Sequence, residues 1–165
     1  MSKPLLLLSG LPGTGKSSFG RWLEKEKGFL HVDFDHGGLQ QHELETSFRL
    51  LESSGARLFI AELLRRREPI CLDWGFPPRC LWIVRRLVDG GVEPWWFDAD
   101  PEIAKKYFLE RGDVSVSAFD EQVANIKAAR ETIMEVFGDR IISVLKLDGT
   151  RLEYDAIYAQ IFNAC

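Results

Sequence analysis

Cysteine is scarce in this chain of 165 residues: Cys71, Cys80 and Cys165 are odd in number, and no two stand in a C-x-x-C spacing. That excludes a disulfide framework and points to reduced thiols in a cytoplasmic protein, each packed as a small hydrophobe. Histidine is equally sparse. His31, His36 and His42 form no H-E-x-x-H pattern and have no cysteine partner, so a zinc centre is not expected. No apolar run approaches the ~18 residues of a membrane span. Lys3 and Pro4 precede only four leucines before Ser9-Gly10, too few for the apolar core of a signal peptide. Positive charge is not in excess either: 21 Lys and Arg stand against 25 Asp and Glu, a net charge of −4. An extended nucleic-acid surface, which is normally basic, is therefore not expected, although a short groove for one strand end is compatible.

What is present is an ordinary globular composition, 45% hydrophobic and 28% charged, at a length that fits one domain over residues 1–165. Monomer and homodimer are both compatible with it. Strand-like and helix-like stretches alternate along the chain. Residues 5–9 are a continuous apolar run, as in a strand buried on both faces, and residues 15–27 carry Phe19, Trp22 and Leu23 at helical spacing. Further strands are expected at 29–34, 70–74, 92–99 and 141–147. Helices are expected at 39–67 (interrupted near 53–55), 79–89, 101–109, 119–137 and 153–162. Five strands separated by helices describe a doubly wound α/β domain with a parallel sheet, whose right-handed crossovers gather the strand-end loops along one edge.

The strongest motif runs from Gly10 to Ser17, Gly-Leu-Pro-Gly-Thr-Gly-Lys-Ser, and satisfies G-x-x-x-x-G-K-[ST] between a buried strand and a helix. Gly10, Gly13 and Gly15 allow the backbone N–H groups to approach phosphate oxygens, with Leu11, Pro12 and Thr14 completing the loop. The helix N-terminus adds positive potential. Lys16 reaches the β- and γ-phosphates, the Ser17 hydroxyl is the expected magnesium ligand, and Ser18 assists at the α-phosphate. Nucleoside triphosphate binding follows.

With this loop, a second strand ending in Asp33-Phe34-Asp35, a third strand ending at Asp73 and a late Arg111, the chain resembles the small P-loop kinases related to adenylate kinase. Among these it looks most like the branch of polynucleotide kinases, zeta toxins and chloramphenicol phosphotransferases. The resemblance implies a three-layer αβα fold with strand order 2-3-1-4-5 and a short lid at about residues 110–118. It also implies an ATP- and magnesium-dependent kinase acting on a hydroxyl of a small molecule or nucleotide end.

Asp35 is placed like the general base of that branch, with Asp33 as its rival; strand alternation would put both on one face and Phe34 on the other. The plain alternative is that Asp35 caps the next helix. Asp73 occupies the position of a carboxylate that holds magnesium or contacts the acceptor, or else forms the turn before Gly75. Shikimate kinases also carry Asp-x-Asp here, but their triple glycine after the third strand is absent. Trp74 and Phe76 are candidate walls of the acceptor pocket, while Trp95, Trp96 and Phe97 read as core with alternating faces. Arg79 and His36 are candidate acceptor contacts. Arg65-Arg66-Arg67 reads as a favourable end to a helix.

Arg111 matches the lid arginine of the branch. Where relatives carry a second arginine one turn earlier, this chain has Tyr107, leaving Lys105, Lys106 or Arg130 as replacements. A nucleotide-binding switch is the competing class, but there is no N-K-x-D guanine motif to make it a GTPase. A degenerate ATP-binding scaffold is disfavoured by retention of Asp35, Asp73 and Arg111.

Overall fold

The computed structural model describes residues 3–110, 112 and 115–163. The chain opens with β1 (Leu5–Gly10), α1 (Lys16–Lys27) and β2 (Leu30–Asp33), followed by a 3-10 turn over Phe34–His36. Four short helices come next: α2 (Gly38–Gln41), α3 (Glu45–Arg49), α4 (Leu51–Ser54) and α5 (Arg57–Arg65). β3 (Ile70–Asp73) leads through a 3-10 turn at Pro78–Cys80 into α6 (Leu81–Asp89), β4 (Glu93–Asp98) and α7 (Pro101–Leu109). α8 (Val116–Ala128), α9 (Arg130–Phe137), β5 (Ile141–Ser143) and α10 (Tyr154–Phe162) complete the chain.

The strands form one parallel sheet in the order β2-β3-β1-β4-β5. β1 lies in the middle, and all six of its residues are buried, which is why its sequence shows no alternation. Helices cover both faces, and β4 shows the division. Phe97 packs on Phe19 of α1, while Trp96 points to the opposite face against Phe137 of α9. The alternation expected of Trp95-Trp96-Phe97 is thus observed, with all three buried. No helix among the described residues is long and apolar enough to cross a membrane.

Two helical stretches expected from apolar spacing are broken further than expected; the interruption near 53–55 is present at Gly55, and others accompany it. Residues 39–67 form four pieces, with Glu43 in the left-handed region (φ 57°) and Gly55 ending α4 (φ 72°). Residues 119–137 divide at Ala129, whose φ of −99° and ψ of 10° leave the helix between α8 and α9. Each piece keeps its apolar face on the same core, so the periodicity continues across the breaks and conceals them. The fifth strand also ends early, at Ser143, and the chain then turns tightly before α10. Of the expected lid, residues 116–118 form the first turn of α8, capped by Ser115.

Candidate active site

Parallel strands place their C-terminal ends together, and the cleft of this protein lies there. After β1 the phosphate loop is fixed to its neighbours by Leu11 N–H donating to Phe97 O (3.1 Å) and by Thr14 Oγ1 donating to Leu11 O (2.7 Å). Gly13 has φ +81°, and a Cβ there would collide with the carbonyl of Ala104 in α7, so the loop needs glycine both for its dihedral and for this approach. Lys16 lies at the start of α1, with Nζ donating to Leu11 O (3.0 Å) and more distantly to Gly10 O (3.4 Å).

The carboxylates approach from two strands in register. Asp33 on β2 pairs with Asp73 on β3, and His31 pairs with Cys71. Period-2 alternation sends all four side chains to one face of the sheet. β2 stops at Asp33 because its Oδ1 accepts the N–H groups of Asp35 and His36, both at 3.1 Å, and its Oδ2 lies 2.9 Å from His36 Nδ1. That capping turns the chain into the 3-10 turn. Asp33 and Asp35 are therefore not alternate residues of one strand, as the sequence suggested, and it is Asp33 that caps. Asp35 is turned toward the end of β3, where its Oδ2 accepts Gly75 N–H at 2.8 Å.

Although Asp35 opens to the cleft, the protein around its carboxyl desolvates it and raises its pKa above the usual aspartate value. The Gly75 N–H and Lys16 oppose this rise, and the charges of Asp73 and Asp33 add to it. Asp73 is 1% exposed. Burial pushes its pKa up, but the His31 ring, the Lys16 ammonium and the Ser17 hydroxyl outweigh burial and hold it below the usual value. Two neighbours of one chemistry are thus driven apart, Asp73 toward permanent charge and Asp35 toward readier protonation. Cys71, buried behind them, has its thiol pKa pushed well up by burial and stays protonated.

Nε2 of His31 stands 3.4 Å from Asp73 Oδ2. His31 fits here only because α1 carries Gly20 opposite it, where any Cβ would overlap the imidazole. One oxygen of each of Asp33 and Asp73 and one nitrogen of His31 lie within 4.8 Å of one another. Asp73 Oδ1 is buried with no hydrogen-bond partner among the described residues. A buried anionic oxygen beside the Ser17 hydroxyl is a donor set that fits a divalent cation with oxygen ligands.

The cleft itself has a volume of about 380 Å³. It is lined by Gly10, Pro12, Lys16 and Ser17 of the phosphate loop and α1, by Asp35, His36 and Phe76 from the ends of β2 and β3, and by Gln122 and Asn125 of α8. Trp74 does not line the cleft but packs behind it on Phe34, Phe48 and Phe76. Arg79 is exposed and lies outside the cleft lining, and Ser18 is half-buried in the first turn of α1. Arg111 is outside the described residues. Sequence reasoning missed His31, Gln122 and Asn125. The signal for His31 was its place two residues before Asp33, and the amides share one face of α8 by their i, i+3 spacing.

No family model matches the chain, and no curated protein matches it in sequence. Solved structures do. A shikimate kinase from Acinetobacter baumannii in complex with shikimate superposes with a TM-score of 0.64 at 17% identity, covering 99% of this chain and 95% of its own. The fold is that of the small P-loop kinases. A shikimate kinase from Bacteroides thetaiotaomicron gives a TM-score of 0.61 at 11% identity, with 98% and 97% coverage. A gluconokinase from Sinorhizobium meliloti 1021 gives 0.52 at 18%, with 87% and 82% coverage. The P-loop kinase fold thus spans the chain nearly end to end, with the strand order expected from the resemblance.

Proposed function

We propose that this protein is an ATP- and magnesium-dependent kinase that transfers the γ-phosphoryl group to a hydroxyl of a small molecule or nucleotide end. The observation that carries the reading is a single cleft lined by Lys16 and Ser17 of the phosphate loop together with Asp35. In this reading the acceptor O–H gives its proton to Asp35 as its oxygen bonds to the γ-phosphorus, while the bond to the β–γ bridging oxygen breaks and ADP leaves. Lys16 and the loop N–H groups hold the phosphates, and Arg111 closes over the transferred group. Ser17 and Asp73, with Asp33 beside them, would hold magnesium, which neutralises phosphate charge when bound; His31 positions Asp73 from behind.

The finer likeness to the polynucleotide kinase and chloramphenicol phosphotransferase branch is supported by Asp35 as base and by the missing triple glycine. The acceptor half of the cleft offers amides, an aromatic edge and two prolines. Among the described residues Lys16 is the one Lys or Arg lining the cleft, which suits an acceptor that presents hydroxyls rather than anions. His36 at its edge is a further candidate contact, whereas the position of Arg79 gives it no support. ADP release measured against sugars, nucleosides, antibiotics and 5′-hydroxyl oligonucleotides tests the proposal. Acceptor-dependent release is expected, and hydrolysis indifferent to every acceptor would favour a nucleotide switch instead. Asp35→Ala is expected to abolish turnover, by about 10²-fold or more, while leaving ATP affinity near wild type. Surviving turnover would remove Asp35 as base.

A further inference from the structure

Position 107 carries tyrosine where many of the resembled kinases have an arginine, and two of the nearby cations named as replacements are engaged elsewhere. Lys105 pairs with Asp120 at 2.8 Å and Arg130 with Asp98 at 3.3 Å. A different cation reaches the phosphate loop. Beyond β5 the chain makes a tight turn closed by Lys146 N–H to Thr150 O (2.8 Å) and Gly149 N–H to Lys146 O (2.9 Å), with Leu145 and Arg151 bridged antiparallel. Tyr107 anchors this turn to α7, its hydroxyl donating to Gly149 O at 2.7 Å. The Arg151 guanidinium lies over the Tyr107 ring, 4.2 Å from its centroid. It is also pressed against Gly15: a Cβ built there would stand 3.3 Å from Arg151 Cζ and collide with Nη1. No carboxylate pairs with Arg151 among the described residues.

We infer that Arg151 is a phosphate-binding residue of the nucleotide site, and that Tyr107 is its positioning residue. A planar guanidinium matches phosphate oxygens with two parallel donors, and stacking on an aromatic ring orders it before the ligand arrives. Gly15 marks the N-terminus of α1, where the loop already favours anions, so the fork and the helix end act on the same charge. The ligand class is a nucleoside polyphosphate. The tyrosine therefore does not leave the site short of a cation; it holds in place one delivered by the turn after the last strand.

The inference rests on the nucleotide-binding reading given above, and the test separates the two. Equilibrium binding of ATP, ADP and adenosine to the full chain is measured by calorimetry for wild type, Arg151→Met, Arg151→Lys, Tyr107→Leu and the double variant, with thermal melting as the control for folding. Arg151→Met is expected to weaken ATP and ADP roughly tenfold or more, as for a charged hydrogen bond, and to leave adenosine unchanged. Its binding is also expected to depend less on salt. Arg151→Lys retains the charge without the fork and should fall between wild type and Met, a comparison that stands even if Met melts early. Tyr107→Leu should weaken ATP several-fold, with the double variant no weaker than Arg151→Met alone. ATP affinity within twofold of wild type in the Met and Lys variants, or additive losses in the double variant, overturns the inference. Wild type failing to bind ATP overturns the phosphate-loop reading as well; ATP bound without any turnover overturns only the kinase.

Discussion

Asp35 and Asp73 are the same residue type at neighbouring strand ends, and their surroundings move their pKa values in opposite directions, which suits the different roles proposed for them. A general base must be ionised to accept a proton, and the pKa of Asp35 is raised. Turnover should accordingly fall as pH drops through that raised value, with the acid limb of kcat/KM lying above the ~4 of an ordinary aspartate. A pH–rate profile checks this, and a limb at or below the ordinary value would count against Asp35. Asp73, held low, keeps its charge through the same range. The types and spacing of these residues were legible in the sequence, but their division of labour was not. Period-2 reasoning assumed that β2 continues past Asp33, whereas side-chain capping at Asp33 redirects Asp35 toward Gly75. Capping is decided by which N–H groups lack a partner, and that depends on where the strand ends.

At the scale of elements, the close approach of α1 to β2 and β3 decides what the site can contain. Gly20 lies inside α1, where alanine would ordinarily add about 1 kcal/mol of helix propensity. Here a Cβ would stand 2.9 Å from Cε1 of His31, 2.5 Å from its Cδ2 and closer still to its Nε2. Overpacking of a rigid ring costs about 1–3 kcal/mol, so Gly20→Ala should be destabilising on balance. It should also raise the magnesium concentration needed for half-maximal activity, because His31 can no longer sit behind Asp73. Urea denaturation and a magnesium titration read the two effects; unchanged values in both would mean that His31 is not wedged in place. The elements themselves were readable wherever burial is two-sided, as in β1, or wherever a motif fixes the boundary, as at Lys16. The second arginine was not readable. Arg151 lies 44 positions after Tyr107 in the chain, and the turn after β5 brings them together.

For the whole molecule, the proposed binding of ATP at the loop would be linked to folding, since β1, α1 and the turn after β5 come together only in the folded chain. ATP at 100 times its dissociation constant should add about 2.7 kcal/mol, a rise in Tm of roughly 5–10 °C for a domain of this size. Differential scanning calorimetry measures it, and Lys16→Ala should remove most of the shift; a shift retained in that variant would separate the stabilisation from the phosphate loop. The fold class and single parallel sheet were within reach of the sequence, because alternation of elements leaves few topologies open, whereas the strand order was implied by the resemblance to the small P-loop kinases. The full lining of the cleft was not within reach, because Gln122 and Asn125 come from a helix that only the tertiary fold sets against the loop.

The break at Ala129 gives that helix an independence of its own. α9 supports the sheet through Phe137 against Trp96, and α8 presents its two amides to the cleft. Wall and buttress meet at one residue outside the helical region instead of sharing a rigid rod. Exchange of the exposed side chains at 122 and 125 would then change the lining of the cleft while the packing that sets stability is left in place. Under the proposed kinase reading, such a scaffold would adapt to a new acceptor by small steps, each tolerated by the fold.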